Sequence, residues 1–233
     1  MTDLTFRSDF TVELIQVAGS DQMICQAARV STLGASSIET EESQGLINFL
    51  MKNRHGSPFE HGLLTFRIEA PIFVWREYMR HRIASYNEQS GRYMEMLPVF
   101  YKPPHDRPLQ QVGKPGHYEF VPGTFEQYNL LDYETEQAAQ EDWARYQRLL
   151  NAGIAKEVSR IHLPLNLFSS AYVTMNPRGF MNFVSLRTKN DLSLFPSYPQ
   201  WEIEKVATTE EVAFSNAFPG VWEAFDANGR VAP

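Results

Sequence analysis

Arg80-His81-Arg82, seven further residues and then Ser90-Gly91-Arg92 bring three guanidiniums and an imidazole into thirteen residues of a chain with net charge −7. Crowded cations repel one another unless an anion neutralises them, and planar guanidinium forks pair bidentately with phosphate oxygens. Local carboxylates are few, only Glu77 and Glu88, while Ser85, Tyr86, Asn87, Gln89 and Ser90 all offer hydrogen-bonding groups. The ordinary alternative for such a cluster is a solvated or salt-bridged patch. A polar loop on a basic helix end reads instead as a site for a phosphorylated, hydrogen-bonding ligand.

Other chemistries fit the chain poorly. His55, Glu60, His61 and His81 lack His-Glu-x-x-His spacing and have no Cys/His pairing, so no metal site is expected. No Gly-x-Gly-x-x-Gly follows a strand and no Walker lysine motif occurs; Gly113-Lys114-Pro115-Gly116 fits neither. Gly-x-Ser-x-Gly is missing too, and Cys25 sits among Met23, Ile24, Ala27 and Ala28, where a packing thiol is expected rather than a nucleophile. Arg178 and Asn182, four apart, share a helix face, while Arg187 lies about two and a half turns beyond Arg178. Taken alone, that helix is an ordinary amphipathic one.

The elements that must carry these residues follow from periodicity and caps. Thr11 to Val17 alternates as a strand with Val12, Leu14 and Gln16 on one face. Ser20 caps a helix through Val30, and Glu41 to Asn53 carries Leu46, Ile47, Leu50 and Met51 at helical spacing. Gly56-Ser57-Pro58 breaks it; Leu64, Phe66 and Ile68 alternate as a strand, and Pro71 opens a helix that delivers Arg80, His81 and Arg82 at its C-terminal end. Lys102 to Gly123, rich in proline and glycine, reads as a long irregular loop. A long helix spans Thr124 to Asn151 and ends at Gly153; a shorter one carries Arg160 and stops near Pro164. Leu167 to Thr174 is a strand, Pro177 opens the helix of Arg178, Asn182 and Arg187, and a last helical region starts near Gln200.

Strands and helices alternate unevenly, so an α+β fold is expected, an antiparallel sheet packed by helices in a single domain over residues 1–233. An aromatic content of 13% suits a packed core. No apolar run of about 18 residues could span a membrane, and Met1 to Phe10 lacks the apolar core of a secretory signal. One cysteine forbids an intrachain disulfide and suits a reducing, cytoplasmic setting. The acidic balance argues against general nucleic-acid binding.

Together these segments resemble the flavin-dependent thymidylate synthases, which lack the active-site thiol of the better-known thymidylate synthases. The signature Arg-His-Arg, seven residues, Ser is matched in full by Arg80 to Ser90. The resemblance extends through Phe59-Glu60-His61, Ala70 to Val74, Leu163 to Leu167, Met181-Asn182-Phe183 and Gln200 to Ile203, in the family's order. It implies that dUMP takes a methylene from methylenetetrahydrofolate while FAD, reduced by NADPH, supplies reducing equivalents, giving dTMP. It also implies a homotetramer with sites shared between subunits, as the size of the ligands would require of a small chain.

Residue by residue, the resemblance implies FAD contacts from Arg80, His81, Arg82, Glu88, Ser57, Asn176, Pro177, Arg178 and Asn182, with His55 on the flavin and folate side. The nucleotide would meet Glu77, Tyr78, Met79 and Arg80, then Glu88, Gln89, Ser90, Gly91 and Arg92, with Arg160 and Arg187 completing its site. Arg187 and Ser90 are the catalytic candidates. Arg187, placed by the resemblance at the uracil edge, would stabilise charge developing as N3–H is lost. Ser90 would position, since no spacing supplies it with a general base. Two departures stand out: Glu77 where a glutamine is frequent, and no histidine in Thr188 to Pro199, where many members have one. That stretch is expected to face ligand through Phe195 and Tyr198. The competing expectation is a noncatalytic nucleotide-phosphate sensor that has lost flavin chemistry.

Overall fold

The computed structural model describes residues 3–114 and 117–233. Met1 of the N-terminal stretch and Pro115 and Gly116 of the proline-rich segment, all read above, lie outside the described residues. The elements in chain order are β1 (Thr5–Arg7), β2 (Thr11–Ala18), α1 (Asp21–Leu33), α2 (Gln44–Lys52), β3 (Leu63–Pro71), α3 (Ile72–Tyr78), β4 (Ser85–Glu88) and β5 (Val99–Tyr101). After them come β6 (Gln110–Lys114), β7 (His117–Val121), α4 (Phe125–Asn151), α5 (Lys156–Ser159), β8 (Phe168–Met175), α6 (Pro177–Arg187), α7 (Trp201–Ala217) and α8 (Pro219–Ala227). The class is α+β with antiparallel pairing, as expected, except that β1 and β5 run parallel. The chain forms two compact units and crosses between them repeatedly: the smaller holds β1, Ala70–Phe73 and Gln89–Ser169, the larger Phe10–Glu69, Val74–Glu88 and Ser170–Pro233.

In the larger unit a four-stranded sheet runs in the order β2-β3-β8-β4. Leu64, Phe66 and Ile68 on β3 are buried at the period of two that the sequence shows. Phe180 of α6 stacks between Phe66 and Phe214 of α7, with centroids 6.1 and 4.7 Å away. Apolar area of this kind is the main stabilising term, roughly 1.5–3 kcal/mol per fully buried large side chain. Ser20 and Ser43 cap α1 and α2 by accepting the amides of Met23 and Leu46. That cap starts α2 at Gln44, three residues later than periodicity alone suggests. On β2 the register slips between Leu14 and Gln16, a bulge that breaks the simple alternation expected of Val12, Leu14 and Gln16. Pro219 divides the C-terminal helical region into α7 and α8, since it cannot donate within a helix but is tolerated at the start of one.

The smaller unit is organised by α4, whose Ala139, Trp143 and Tyr146 pack with Met96, Phe100 and Leu167. Thr124 and Gln127 form a reciprocal cap at its start. Gly153, at φ 79°, supplies the left-handed residue just past its end.

Four further expectations need correction. The stretch Lys102 to Gly123 is not wholly irregular: β6 and β7 pair antiparallel, Gln110 opposite Val121 and Gly113 opposite Tyr118. Pro103, Pro104, Pro108 and Pro122 fall outside the paired residues and remove no ladder hydrogen bond. Next, Pro71 ends β3, α3 stops at Tyr78, and Arg80 to Arg82 lie beyond it. Their turn is closed by the amides of Arg80 and His81 donating to the carbonyls of Glu77 and Tyr78. The polar residues Ser85 to Glu88 then form a strand, Ser85 opposite Thr174 and Glu88 opposite Ala171, because β8 offers an edge for their backbone. Finally, α5 closes at Ser159, and Arg160 sits in a separate single turn of 3-10 helix, Arg160–His162.

Candidate active site

Arg187 is the last residue of α6, where the helix carbonyl dipoles favour a cation. Its side chain is only 16% exposed and every nitrogen is engaged within the larger unit. Nε donates to His81 Nε2 at 3.0 Å, Nη2 to the Glu77 carbonyl at 3.3 Å, and Nη1 pairs with Glu77 Oε2 at 2.9 Å. The His81 contact fixes a tautomer: Nε2 must be the bare acceptor, so the ring proton resides on Nδ1. Burial, helped by the Arg187 charge, pushes the His81 pKa down to about 4, so the imidazole is neutral at pH 7. Phe183 meets His81 edge-on, with centroids 4.9 Å apart.

Beneath this group lies a second polar layer. Tyr86 Oη donates to the His81 carbonyl at 2.7 Å and to that of Tyr78 at 3.2 Å. Burial first, and then the neighbouring Glu210, pushes its phenol up to about 12. Tyr78 is buried, with its hydroxyl turned to Glu210 on α7.

The opposite end of α6 is built differently. Asn176 caps it by accepting from the Gly179 amide at 2.7 Å, and Pro177 occupies the first helical position. Arg178 Nε donates to the Pro233 carbonyl at 2.7 Å and Nη1 pairs with Glu60 at 2.6 Å. A Cβ at Gly56 would lie 2.6 Å from Arg178 Cζ and 2.8 Å from the Pro233 carbonyl, so only glycine allows that approach. Asn182 Nδ2 donates to the Arg178 carbonyl at 3.0 Å. Ser57 and His55 are exposed, and the His55 ring stacks on Phe49. Arg80, Arg82 and Met79 are exposed too, and the two arginines make no ion pair among the described residues.

In the smaller unit Ser90 Oγ accepts the Arg92 amide, and its carbonyl accepts those of Tyr93 and Met94, a tight turn. Gly91 is buried against the Arg160 stem; a Cβ there would stand 3.1 Å from Arg160 Cδ. Arg92 pairs with Glu157 at 2.7 Å in the open. Gln89 reaches Met96 Sδ, and Glu88, at the end of β4, belongs to the larger unit.

The structure thus unites Arg187, His81 and Glu77, and separately Gly91 with Arg160. Arg80-His81-Arg82 is not one cationic patch, since the arginines face outward and the imidazole turns in. Sequence reasoning names Tyr86 only as a hydrogen-bonding group of the loop and Glu60 only as a rejected metal ligand and part of a family block, and it passes over Glu210. Tyr86 alternates with exposed Ser85 and Asn87, a period-two signal that was present but hidden in a polar run. Nothing local distinguishes Glu210 from a solvated glutamate. In the Thr188 to Pro199 stretch, Ser197 Oγ donates to the Thr188 carbonyl, and Phe195 and Tyr198 are exposed. Cys25 is buried, and burial raises its thiol pKa against the opposing Ser43 amide contact, as suits a packing residue.

Residues 13–220 match the family of thymidylate synthase complementing proteins. The chain belongs to this family. Among its relatives, the flavin-dependent thymidylate synthase of Tropheryma whipplei is 52% identical over 235 residues, covering 99% of this chain and 98% of the relative. That of Streptomyces coelicolor is 50% identical, covering 99% and 96%. A crystal structure of the UMP/dUMP methylase PolB from Streptomyces cacaoi bound with 5-Br dUMP superposes with a TM-score of 0.93 at 44% identity, covering 99% of this chain and 100% of that one. The same methylase bound with 5-Br UMP gives 0.91 at 45%, covering 99% of each.

For this family a flavin dinucleotide is the implied group, and its pyrophosphate needs cations free of carboxylates. Arg80 and Arg82, exposed and without an ion pair among the described residues, meet that requirement, so the residues present fit the group.

Proposed function

We propose that this chain is a flavin-dependent thymidylate synthase that methylates dUMP to dTMP, with methylenetetrahydrofolate as carbon donor and NADPH as reductant. The observation that carries the reading is Arg187: a mostly buried guanidinium held by a neutral imidazole, in a chain whose one thiol is a packing residue. Uracil C5 is a weak nucleophile, and without sulfur addition at C6 the ring must be activated electrostatically. A fixed cation stabilises negative charge as it develops, at little reorganisation cost. His81 holds that cation without cancelling its charge, which the partly exposed Glu77 carboxylate offsets. Bound FAD supplies the reducing equivalents. Arg80, Arg82, Ser57, Glu88, His55, Asn176, Pro177, Arg178 and Asn182 are proposed to hold it; Glu77 to Arg80, Glu88 to Arg92, Arg160 and Arg187 are proposed to hold the nucleotide, with Ser90 positioning.

A cytoplasmic homotetramer with shared sites, in which the chain acts as a single domain, completes the reading. The family match covers residues from both compact units. Exposed Leu14, Ile15, Val17 and Val212 leave apolar surface that assembly would cover, beside an open groove of about 560 Å³ lined by Val12, Phe66 and Ala213. No helix among the described residues is long and apolar enough to cross a membrane. Exposed Phe195 and Tyr198 are proposed to face flavin or folate.

Purified protein should be yellow, with a flavin spectrum bleached by NADPH, and should form dTMP from dUMP. Colourless protein that binds dUMP without turnover would favour a noncatalytic sensor. A second reading, UMP as substrate, is favoured by the complex of the similar methylase with 5-Br UMP; the ratio of kcat/KM for the two nucleotides decides. Cys25→Ser should keep turnover within about twofold while losing roughly 1 kcal/mol of stability to a buried hydroxyl. Complete loss of dTMP formation in that folded, yellow variant would remove the thiol-free route.

A further inference from the structure

Glu210 has no exposed surface, and its Oε1 accepts a 2.6 Å hydrogen bond from Tyr78 Oη. Its other oxygen has no hydrogen-bond partner among the described residues. Burying a carboxyl half-satisfied is costly, so its contribution must be sought in the bond it does make. Tyr78 is the pivot of the turn behind Arg187. Its ring packs on Phe183 and Trp75, with centroids 4.5 and 5.5 Å away, and its carbonyl accepts both the His81 amide and the Tyr86 hydroxyl. The residue before it, Glu77, gives Arg187 both a carbonyl and a carboxylate. The Tyr78 hydroxyl reaches α7, where Glu210 is its hydrogen-bond partner.

We propose that Glu210 is a positioning residue: its hydrogen bond to Tyr78 fixes the turn from Glu77 to His81, and through that turn the guanidinium of Arg187. Burial raises the Glu210 pKa to about 8, against the Tyr78 hydrogen bond, so the carboxyl is mostly protonated at pH 7. It then accepts through its carbonyl oxygen, as an amide would. Tyr78 from α3 and Tyr86 from β4 are the titratable groups that face it, both with phenols held above their ordinary range. The proposal rests on the reading of Arg187 as the uracil-facing cation.

The test compares Glu210→Gln with the double variant Tyr78→Phe/Glu210→Met in the flavin-loaded enzyme. Removing both partners leaves no orphaned polar group, so the double variant should melt close to wild type. Its rate at saturating dUMP should nonetheless fall roughly tenfold, the scale expected of a small misplacement at the reacting centre. Titration of His81, followed by NMR of ¹⁵N-labelled imidazole, should rise from about 4 by the part that Arg187 contributes, burial remaining the larger cause of its low value. Glu210→Gln should keep the rate within about twofold and leave the His81 titration unshifted, since its amide oxygen still accepts. Should the double variant not fold, Tyr78→Phe alone, which deletes one hydroxyl, carries the same expectation. A double variant with wild-type rate and an unshifted His81 would overturn the proposal, as would Glu210→Gln impaired to the same degree. Wild-type enzyme that never turns over dUMP, while His81 still shifts in the double variant, would sink the functional reading and leave the positioning role standing.

Discussion

Arg178 opens α6 and Arg187 closes it, and the two ends treat the same side chain in opposite ways. At the N-terminus the helix dipole disfavours a cation, and Arg178 is held by Glu60 and the Pro233 carbonyl, with side chains 39% and 45% exposed for the ion pair. At the C-terminus the dipole favours the cation, and Arg187 is more buried and leans on a neutral imidazole and on Glu77, itself 41% exposed. Arg178 also clamps the backbone at Pro233. Arg187, also paired with one carboxylate, has a neutral imidazole as its further side-chain partner and lies deeper in the fold. The two ends therefore differ in burial, in helix dipole and in the second partner, a backbone carbonyl against a neutral imidazole, and not in having a carboxylate.

The largest effect should come from Arg187→Ala, a loss of on the order of a hundredfold or more in the rate at saturating dUMP. Arg187→Lys should rescue poorly, because an ammonium cannot serve His81 and Glu77 and a ligand with one planar fork. An unchanged saturated rate with weaker dUMP binding would make the two ends of α6 equivalent. Arg178→Ala should instead act on binding, weakening FAD about tenfold, on the order of 1.4 kcal/mol, with near-normal turnover once flavin is loaded. A rate defect in the loaded enzyme as large as that of Arg187→Ala would erase the distinction.

A pH experiment probes the neutral partner. His81 titrates lower in the folded chain than in the unfolded one, so between about 4 and 6.5 the unfolded chain binds a proton that the folded chain refuses. Stability should therefore fall as pH drops through that window, by at most about 1.4 kcal/mol per pH unit, and this contribution should be flat above it. Melting His81→Asn across the same range should show that slope removed; an identical slope would mean that His81 is not held neutral. The smallest effect is expected from Glu60→Gln, within about 1 kcal/mol of stability, as exposed ion pairs usually contribute little. A larger loss in chemical denaturation would promote the clamp end to a folding role.

Much of the local structure was readable because its causes are local. The alternation of Leu64, Phe66 and Ile68, the serine cap of α1, Thr124 at the start of α4 and Pro177 opening α6 each act within a turn or a pleat. The family resemblance through Arg80 to Ser90 likewise needs only residue order, and the matched residues 13–220 bear it out. What escaped was long-range pairing. β1 finds β5 across the sequence, Thr5 opposite Val99, and β4 is a strand only because β8 lies beside it. No periodicity records such partners, since their contacts depend on how the chain closes.

The same division runs through the site. The family resemblance singled out Arg187, the basic cluster singled out His81, and no Rossmann loop or nucleophile elbow was expected, because those need particular residues at particular spacings. Residue order could not say that His81 is a neutral acceptor instead of a third cation. That required burial and a guanidinium from 106 residues away. Nor could it separate Glu210 from its neighbour glutamates on α7, for a carboxyl's state is set by the solvent it loses and the hydroxyl it meets. Residue type supplies the possible charges; packing decides which of them exist.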